Sequence, residues 1–381
     1  MSVVSRPENL EALASEPGIS LEELQLAGRN HSLPLEALQY RITPVGLHYL
    51  LTHFDIPRVD PVRWRLALGG RVRHPLSLAL DDLKGRAPIT RSVTLECAGN
   101  GRARLSPRPV SQPWLFEAVG NAEWTGTPLK PLLEAAGPLE DAVEVVFTGL
   151  DRGVQDGVEQ QYERSLSLKE ALGEDLFLAW AVNGEPLPPQ HGFPLRLLVP
   201  GWYGMTHVKW LRSITLVNHV FRGYQQQPAY HLTMSDKELG EPVTRILPRS
   251  LVVPPGIPDF LSRTRHLGQG RCRLEGRAWS GHGPVVRVEL SLDGGQRWVD
   301  TDLDADGGAY SWQSWRYAWD AAQPGEYELC CRATDATGNV QPLTARWNAQ
   351  GMCNNQVQRI KVVVGQGPDR VQPPADGDPL S

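Results

Sequence analysis

A chain of 381 residues, 41% hydrophobic and 21% charged, has room for two domains and the make-up of a globular protein. Its 38 Lys and Arg against 43 Asp and Glu leave a formal net charge of −5, which argues against a nucleic-acid binder. An anionic ligand would need a local cluster of cations.

Residues 1–29 read as a polar N-terminal extension. Met1–Pro17 carries acids and neither an apolar secretory core nor twin arginines, and no apolar run in the chain is long enough to span a bilayer. A cytoplasmic location is therefore expected. A helix is expected over Ser20–Leu26. From Tyr40 to about residue 235, short strands and short helices mix. Trp64–Leu68 alternates as a strand and is ended by Gly69-Gly70. Leu129–Ala136 is an amphipathic helix closed by Gly137. Leu195–Val199, an apolar run between Pro194 and Pro200, predicts a buried strand. This half, over 30–239, is expected to be a loop-rich α+β domain.

Pro242, Pro248, Pro254, Pro255 and Pro258 punctuate a connecting stretch, after which the pattern is all-β. Val286, Val288, Leu290 and Leu292 alternate with polar residues, Asp293-Gly294-Gly295 supplies a hairpin turn, and Tyr327, Leu329, Cys331 and Ala333 alternate again before a turn at Asp335–Asn339. This predicts an immunoglobulin-like sandwich over 240–364. The segment 365–381 is rich in Pro, Gly and Asp and is expected to be a disordered tail.

Five cysteines with no CxxC or CxxCH spacing argue against a disulfide framework, a structural zinc site and c-type haem. Cys97 stands apart, where the strand Ser92–Leu95 runs into the Gly-rich loop Glu96–Arg102. Glycines let the backbone of such a loop approach a ligand. From these residues alone, Cys97 is a metal ligand, a nucleophile needing a nearby His, or a small core residue. Cys272, Cys330, Cys331 and Cys353 lie in the all-β half and read as packing residues. A second constellation, His191–Arg196 with Gly201–Trp210, gathers His191, Arg196, His207 and Lys209. Arg196 falls inside an apolar strand, where an unpaired charge is costly. A bound phosphate would offset that cost, and Gly-rich loops with cations nearby make anion cradles.

In order along the chain, TLECAGNGR (Thr94–Arg102), AEWTGTPLKPLLEAAG (Ala122–Gly137), YERSLSLKEAL (Tyr162–Leu172) and NGEPLPPQHGFPLRLLVPGWYGMTHVKWL (Asn183–Leu211) resemble the sulfite oxidase family of molybdenum enzymes. GRAWSG (Gly276–Gly281), VELSLDGGQRW (Val288–Trp298) and WNAQGMCNN (Trp347–Asn355) resemble that family's dimerisation domain, so the match runs from about residue 30 to 363. The resemblance implies a molybdenum–molybdopterin cofactor, with Cys97 as the protein thiolate on the metal; a soft thiolate suits a redox-active metal. It carries the pterin contacts over to His53, Asp151, His191, Arg196, His207 and Lys209, with Arg196, His207 and Lys209 on the phosphate. Arg102, Tyr230 and Trp114 match the substrate pocket.

The implied reaction is oxygen-atom transfer from sulfite to sulfate. A haem domain ahead of the cofactor domain is not expected, so an external electron acceptor is expected, together with a homodimer through the β domain. The sequence departs from the family at two substrate arginines, replaced by Leu51 and Gln350. A charge-assisted hydrogen bond is worth roughly 1.5–3 kcal/mol, so the two replacements would weaken sulfite binding by orders of magnitude unless other groups compensate. Arg104 and Arg108 are candidates to do so. The alternatives are a reductase of S-oxides or another oxo-transferase, and a non-enzymatic adhesion or binding module built on the sandwich.

Overall fold

The computed structural model describes residues 18–365 except 228, 236–239 and 305–307. The expected tail beyond Gly365 lies outside the described residues, as does Met1–Pro17.

Ser20 caps the first helix, Leu21–Arg29. Its hydroxyl accepts from Glu23 N at 3.2 Å while the Glu23 carboxylate accepts from Ser20 N at 3.0 Å, a reciprocal arrangement worth about 1 kcal/mol. Glu23 is buried and ion-paired with Arg108, and Arg29 donates to Thr52 O at 3.1 Å. Residues 18–29 thus pack against the first domain.

That domain is built on two sheets. One has the order β2 (Leu76–Leu78), β1 (Leu66–Gly70), β10 (Leu211–Val217), β5 (Glu144–Gln155), β6 (Val158–Ser167), with β1 and β10 parallel and the other pairs antiparallel. The other joins β3 (Ile89–Glu96), β4 (Val119–Pro128), β7 (Phe177–Val182) and β8 (Glu185–Pro186), with β9 (Arg196–Leu198) also on β7. The first strand begins two residues later than its alternation suggests and runs through both glycines, because Gly69 and Gly70 pair with Thr215 and Leu216. The helix Lys130–Ala136 ends at Gly137, which adopts φ 66°. β9 is buried throughout, as expected of Leu195–Val199.

The second domain is a sandwich. One sheet contains Arg249–Val252, Gly270–Trp279, Gln313–Ala321 and Asp302–Leu303; the other is centred on Val285–Ser291, Gly325–Asp335 and Ile360–Val364. Leu274, Trp315 and Trp319 from one meet Val288, Leu290, Leu329 and Cys331 from the other. Val286, expected to face this core, is 58% exposed. A register shift between Val285 and Arg287 turns Val285 inward instead. Asp293-Gly294-Gly295 does not form a tight hairpin either: the strand resumes only at Val299–Asp300, and the Asp293 carboxylate organises the longer loop by accepting from Gln296 N and Arg297 N.

A small two-stranded sheet, His231–Leu232 with Glu241–Pro242, straddles the expected boundary near residue 240. The two domains also share an apolar cluster in which Ala98, Phe116, Val119 and Met205 meet Leu251, Trp279, Trp312 and Met352. The loop after β3 is therefore clamped between them. No helix among the described residues is long and apolar enough to cross a membrane.

Candidate active site

The loop after β3 begins with Cys97, whose N–H donates to Ala118 O at 2.9 Å. Asn100 closes the turn: its N–H donates to Cys97 O at 2.9 Å, its amide to Phe116 O at 3.0 Å, and its oxygen accepts from Ala118 N at 3.1 Å. Gly101 sits at φ 91°, and a Cβ there would come 2.6 Å from Asn354 O. No other residue fits so close to the second domain.

Cys97 is 8% exposed, and burial pushes its thiol upward, opposed by the charge of Arg102, the Gly99 N–H and the Trp114 indole. Arg102, itself buried, is held by main-chain carbonyls: Nε donates to Gln350 O and Nη1 to Gln112 O, both at 3.1 Å. Tyr230 takes the left-handed φ of 62°, rare for a bulky residue, and its N–H donates to Gln350 Oε1 at 3.0 Å. Burial raises its phenol, and the Cys97, Arg164 and Arg102 side chains all act on it. Cys97, Arg102, Trp114 and Tyr230 thus form one group.

Beside this group opens a cleft lined by His53, Asp151, His191, Arg196, His207, Lys209 and Tyr230, residues brought from five separate stretches of chain. Arg196 is 5% exposed; Nη1 donates to His191 O at 3.1 Å, the guanidinium lies 4.7 Å from the Trp124 ring, and Nε has no hydrogen-bond partner among the described residues. Burial lowers it to about 10. Lys209 Nζ donates to Leu51 O at 2.9 Å and Gln190 O at 3.1 Å, which leaves one proton undirected. Burial and then the Arg196 charge lower it to about 7, with Asp151 opposing. Burial raises Asp151, the sole carboxylate in the lining among the described residues, to about 6. Burial, then the charges of His48, Arg196 and Lys209, pushes His191 down to about 2. His53 Nε2 lies 2.8 Å from Gln155 Oε1.

Residues 53–225 match the family described as the oxidoreductase molybdopterin binding domain, and residues 246–365 the Mo-co oxidoreductase dimerisation domain. The sulfite oxidase of Gallus gallus is 34% identical over 350 residues, covering 87% of this chain and 75% of that protein. The chain belongs to the sulfite oxidase family. The mitochondrial sulfite oxidase of Rattus norvegicus is 32% identical over 345 residues, 85% of this chain, which spans 62% of that relative's length. A nitrate reductase [NADH] of Hordeum vulgare is 32% identical over 374 residues, 90% of this chain and 41% of that protein. The crystal structure of the sulfane dehydrogenase SoxCD from Paracoccus pantotrophus superposes with a TM-score of 0.76 at 26% identity, covering 93% of this chain and 90% of that one.

The family cofactor is molybdenum–molybdopterin, and the cleft fits an anionic pterin. Burial disfavours the charged forms of Arg196 and Lys209, Asp151 offsets this only at Lys209, and the buried Arg196 Nε lacks an acceptor among the described residues. A phosphate would supply both a counter-charge and that acceptor. His207 lines the cleft, but its ring nitrogens are both taken. Its Nδ1 accepts from Val199 N at 3.1 Å and its Nε2 lies 3.0 Å from Trp202 O, so both nitrogens are engaged by backbone. It fixes the chain around Arg196. Arg108 does not replace a substrate arginine, being paired with Glu23 and Gly18 O, and Arg104 lies 5.2 Å over the Phe116 ring.

Not expected from the sequence were His48, Tyr49 and Tyr162, which line the cleft, and the buried Arg164 and Gln225 beside it. Tyr162 stands on a strand inside a stretch that resembles the family, which was the available signal for it. His48 and Gln225 had none.

Proposed function

We propose that the protein oxidises sulfite to sulfate and passes the electrons to an external acceptor, as a homodimer formed through residues 240–364. The supporting observation is the grouping of Arg102 and Tyr230 around the Cys97 thiol, a buried cation and a phenol beside a soft metal-binding sulfur. Cys97 would hold molybdenum. Arg196 and Lys209 would hold the pterin phosphate, and His53, Asp151 and His191 the rest of the pterin. Bound there, the cofactor supplies oxygen-atom transfer and accepts two electrons. Arg102 draws the anionic substrate to the thiol end of the cleft. Tyr230, pinned through its backbone to Gln350, presents its hydroxyl to the substrate, and Trp114 shields the thiol from water. Sulfite-dependent reduction of ferricyanide by the molybdenum-loaded protein tests this, with a KM at or below about 1 mM expected; no reduction would reject it.

One observation favours a second reading. Leu51 lines the cleft where the family resemblance expects an arginine, which lowers the positive charge offered to a dianion. A less charged oxo-substrate such as an S-oxide fits that pocket, and would show as oxidation of reduced viologen dye by an S-oxide but no sulfite turnover.

A further inference from the structure

Arg164 belongs to no part of the site expected from the sequence, yet its position is unusual. It lies on β6 two residues from Tyr162, so the two side chains share a face, and Tyr162 lines the cleft. Arg164 is 3% exposed. Nη1 donates to Gln225 O, while Nε, buried, has no hydrogen-bond partner among the described residues. The guanidinium carbon stands 5.4 Å from the centroid of the Tyr230 ring. The neighbouring Glu163 gives it no counter-charge, because that carboxylate accepts from Thr148 Oγ1 at 2.8 Å and alternation sends it to the other face. The groups that favour the charged form of Arg164 are two phenols, Tyr162 and Tyr230. A buried guanidinium without a carboxylate is costly, and an anion is the partner that offsets the cost.

We infer that Arg164 is a substrate-binding cation of this site, receiving an oxygen of the anionic substrate across Tyr230 from Arg102 and standing in for the charge that Leu51 and Gln350 do not provide. The inference rests on the assignment of Arg102 and Tyr230 to the substrate end of the cleft. It names the ligand class as a small oxyanion. Tyr230 would lie between two cations, its hydroxyl fixed for the same oxyanion.

The test uses molybdenum-loaded wild-type protein, Arg164→Met and Arg164→Lys. Sulfate binding is measured by calorimetry, and sulfite KM and kcat with ferricyanide. Molybdenum content should be the same in all three. Arg164→Met should weaken sulfate binding at least about tenfold, as expected when one charge-assisted hydrogen bond is removed, and raise the sulfite KM similarly with little change in kcat. Arg164→Lys should recover most of that affinity. Should Arg164→Met lose molybdenum, Arg164→Lys carries the test alone, with about a threefold weakening expected from an ammonium that cannot match the guanidinium geometry. Unchanged sulfate binding in a loaded variant overturns the inference, as does a wild-type protein that binds no sulfate. Sulfate binding that depends on Arg164 without any sulfite turnover would instead remove sulfite oxidation and leave the oxyanion site standing.

Discussion

Arg249 Nε lies 2.8 Å from Glu96 Oε1, with both side chains 1% exposed. Glu96 directly precedes Cys97, and Arg249 belongs to the second domain. The other carboxylate oxygen accepts from Trp279 Nε1 at 2.7 Å, again across the domain boundary, and Oε1 also accepts from Asn100 Nδ2 at 3.0 Å. Asn354 Nδ2 donates to Gly101 O at 2.7 Å. The sandwich therefore holds both ends of the cysteine loop.

Breaking that pair from one side leaves a buried charge and costs on the order of 3–5 kcal/mol. Glu96→Gln and Arg249→Met are each expected to lower the urea midpoint markedly and to reduce retained molybdenum. The double variant should be less destabilised than the sum of the two. Additive midpoints would mean that the two residues are not coupled.

Cys97→Ser should lose molybdenum and turnover together while keeping the far-UV circular dichroism of the wild type. Serine preserves size and the local turn, which depends on backbone groups and Asn100 rather than on the sulfur. A hydroxyl is a poor ligand for a soft metal. Full molybdenum content in this variant would make Cys97 a core residue and move the metal elsewhere.

The division into an α+β half and a sandwich was legible because alternation and proline punctuation are local signals. Val286 was misjudged because a bulge is decided by the partner strand: the shift against Gly325–Asp335 is invisible in the alternation itself. The cation cluster was legible through Arg196, since a charge within Leu195–Val199 has to meet something. The part of His207 was not, because a histidine satisfied by Val199 N and Trp202 O looks the same in sequence as one facing a ligand. Arg164 was hidden for the opposite reason. Its strand neighbours are polar, and only tertiary burial makes its charge conspicuous.

Arg196→Met should weaken cofactor retention by roughly tenfold or more, the range of a charge-assisted hydrogen bond of about 1.5–3 kcal/mol. The cofactor-free protein should be stabilised, because the change removes a buried cation whose Nε has no acceptor among the described residues and keeps an apolar stem against Trp124. Molybdenum per chain and the thermal midpoint of the cofactor-free form read the two effects separately. A parallel fall in both would give Arg196 a structural part alone.

The same cleft sets a pH dependence for the cofactor-free protein. Burial holds His48 down to about 4 and His207 down to about 3, against 6.5 in the unfolded chain. Below pH 6.5 the unfolded chain binds protons that the folded one refuses, so their stabilising effect is present above 6.5 and lost as the pH falls toward 4. Lys209, at about 7 against 10.5, acts in the same direction at higher pH: stability rises as the pH climbs from 7 toward 10.5. Asp151 opposes them. Raised to about 6 from 3.8, it binds more protons in the folded state within that window, so its contribution to stability falls as the pH rises through it. Each tenfold change in proton affinity is worth about 1.4 kcal/mol, and two histidines outweigh one carboxylate. The thermal midpoint of the cofactor-free protein should therefore climb from pH 5 to 6.5 and again to 8.5. An anionic cofactor favours the charged forms of Lys209 and of His48, which both line the cleft, so the loaded protein should show a flatter profile. Parallel profiles for the two forms would mean that the pterin phosphate does not lie against these cations.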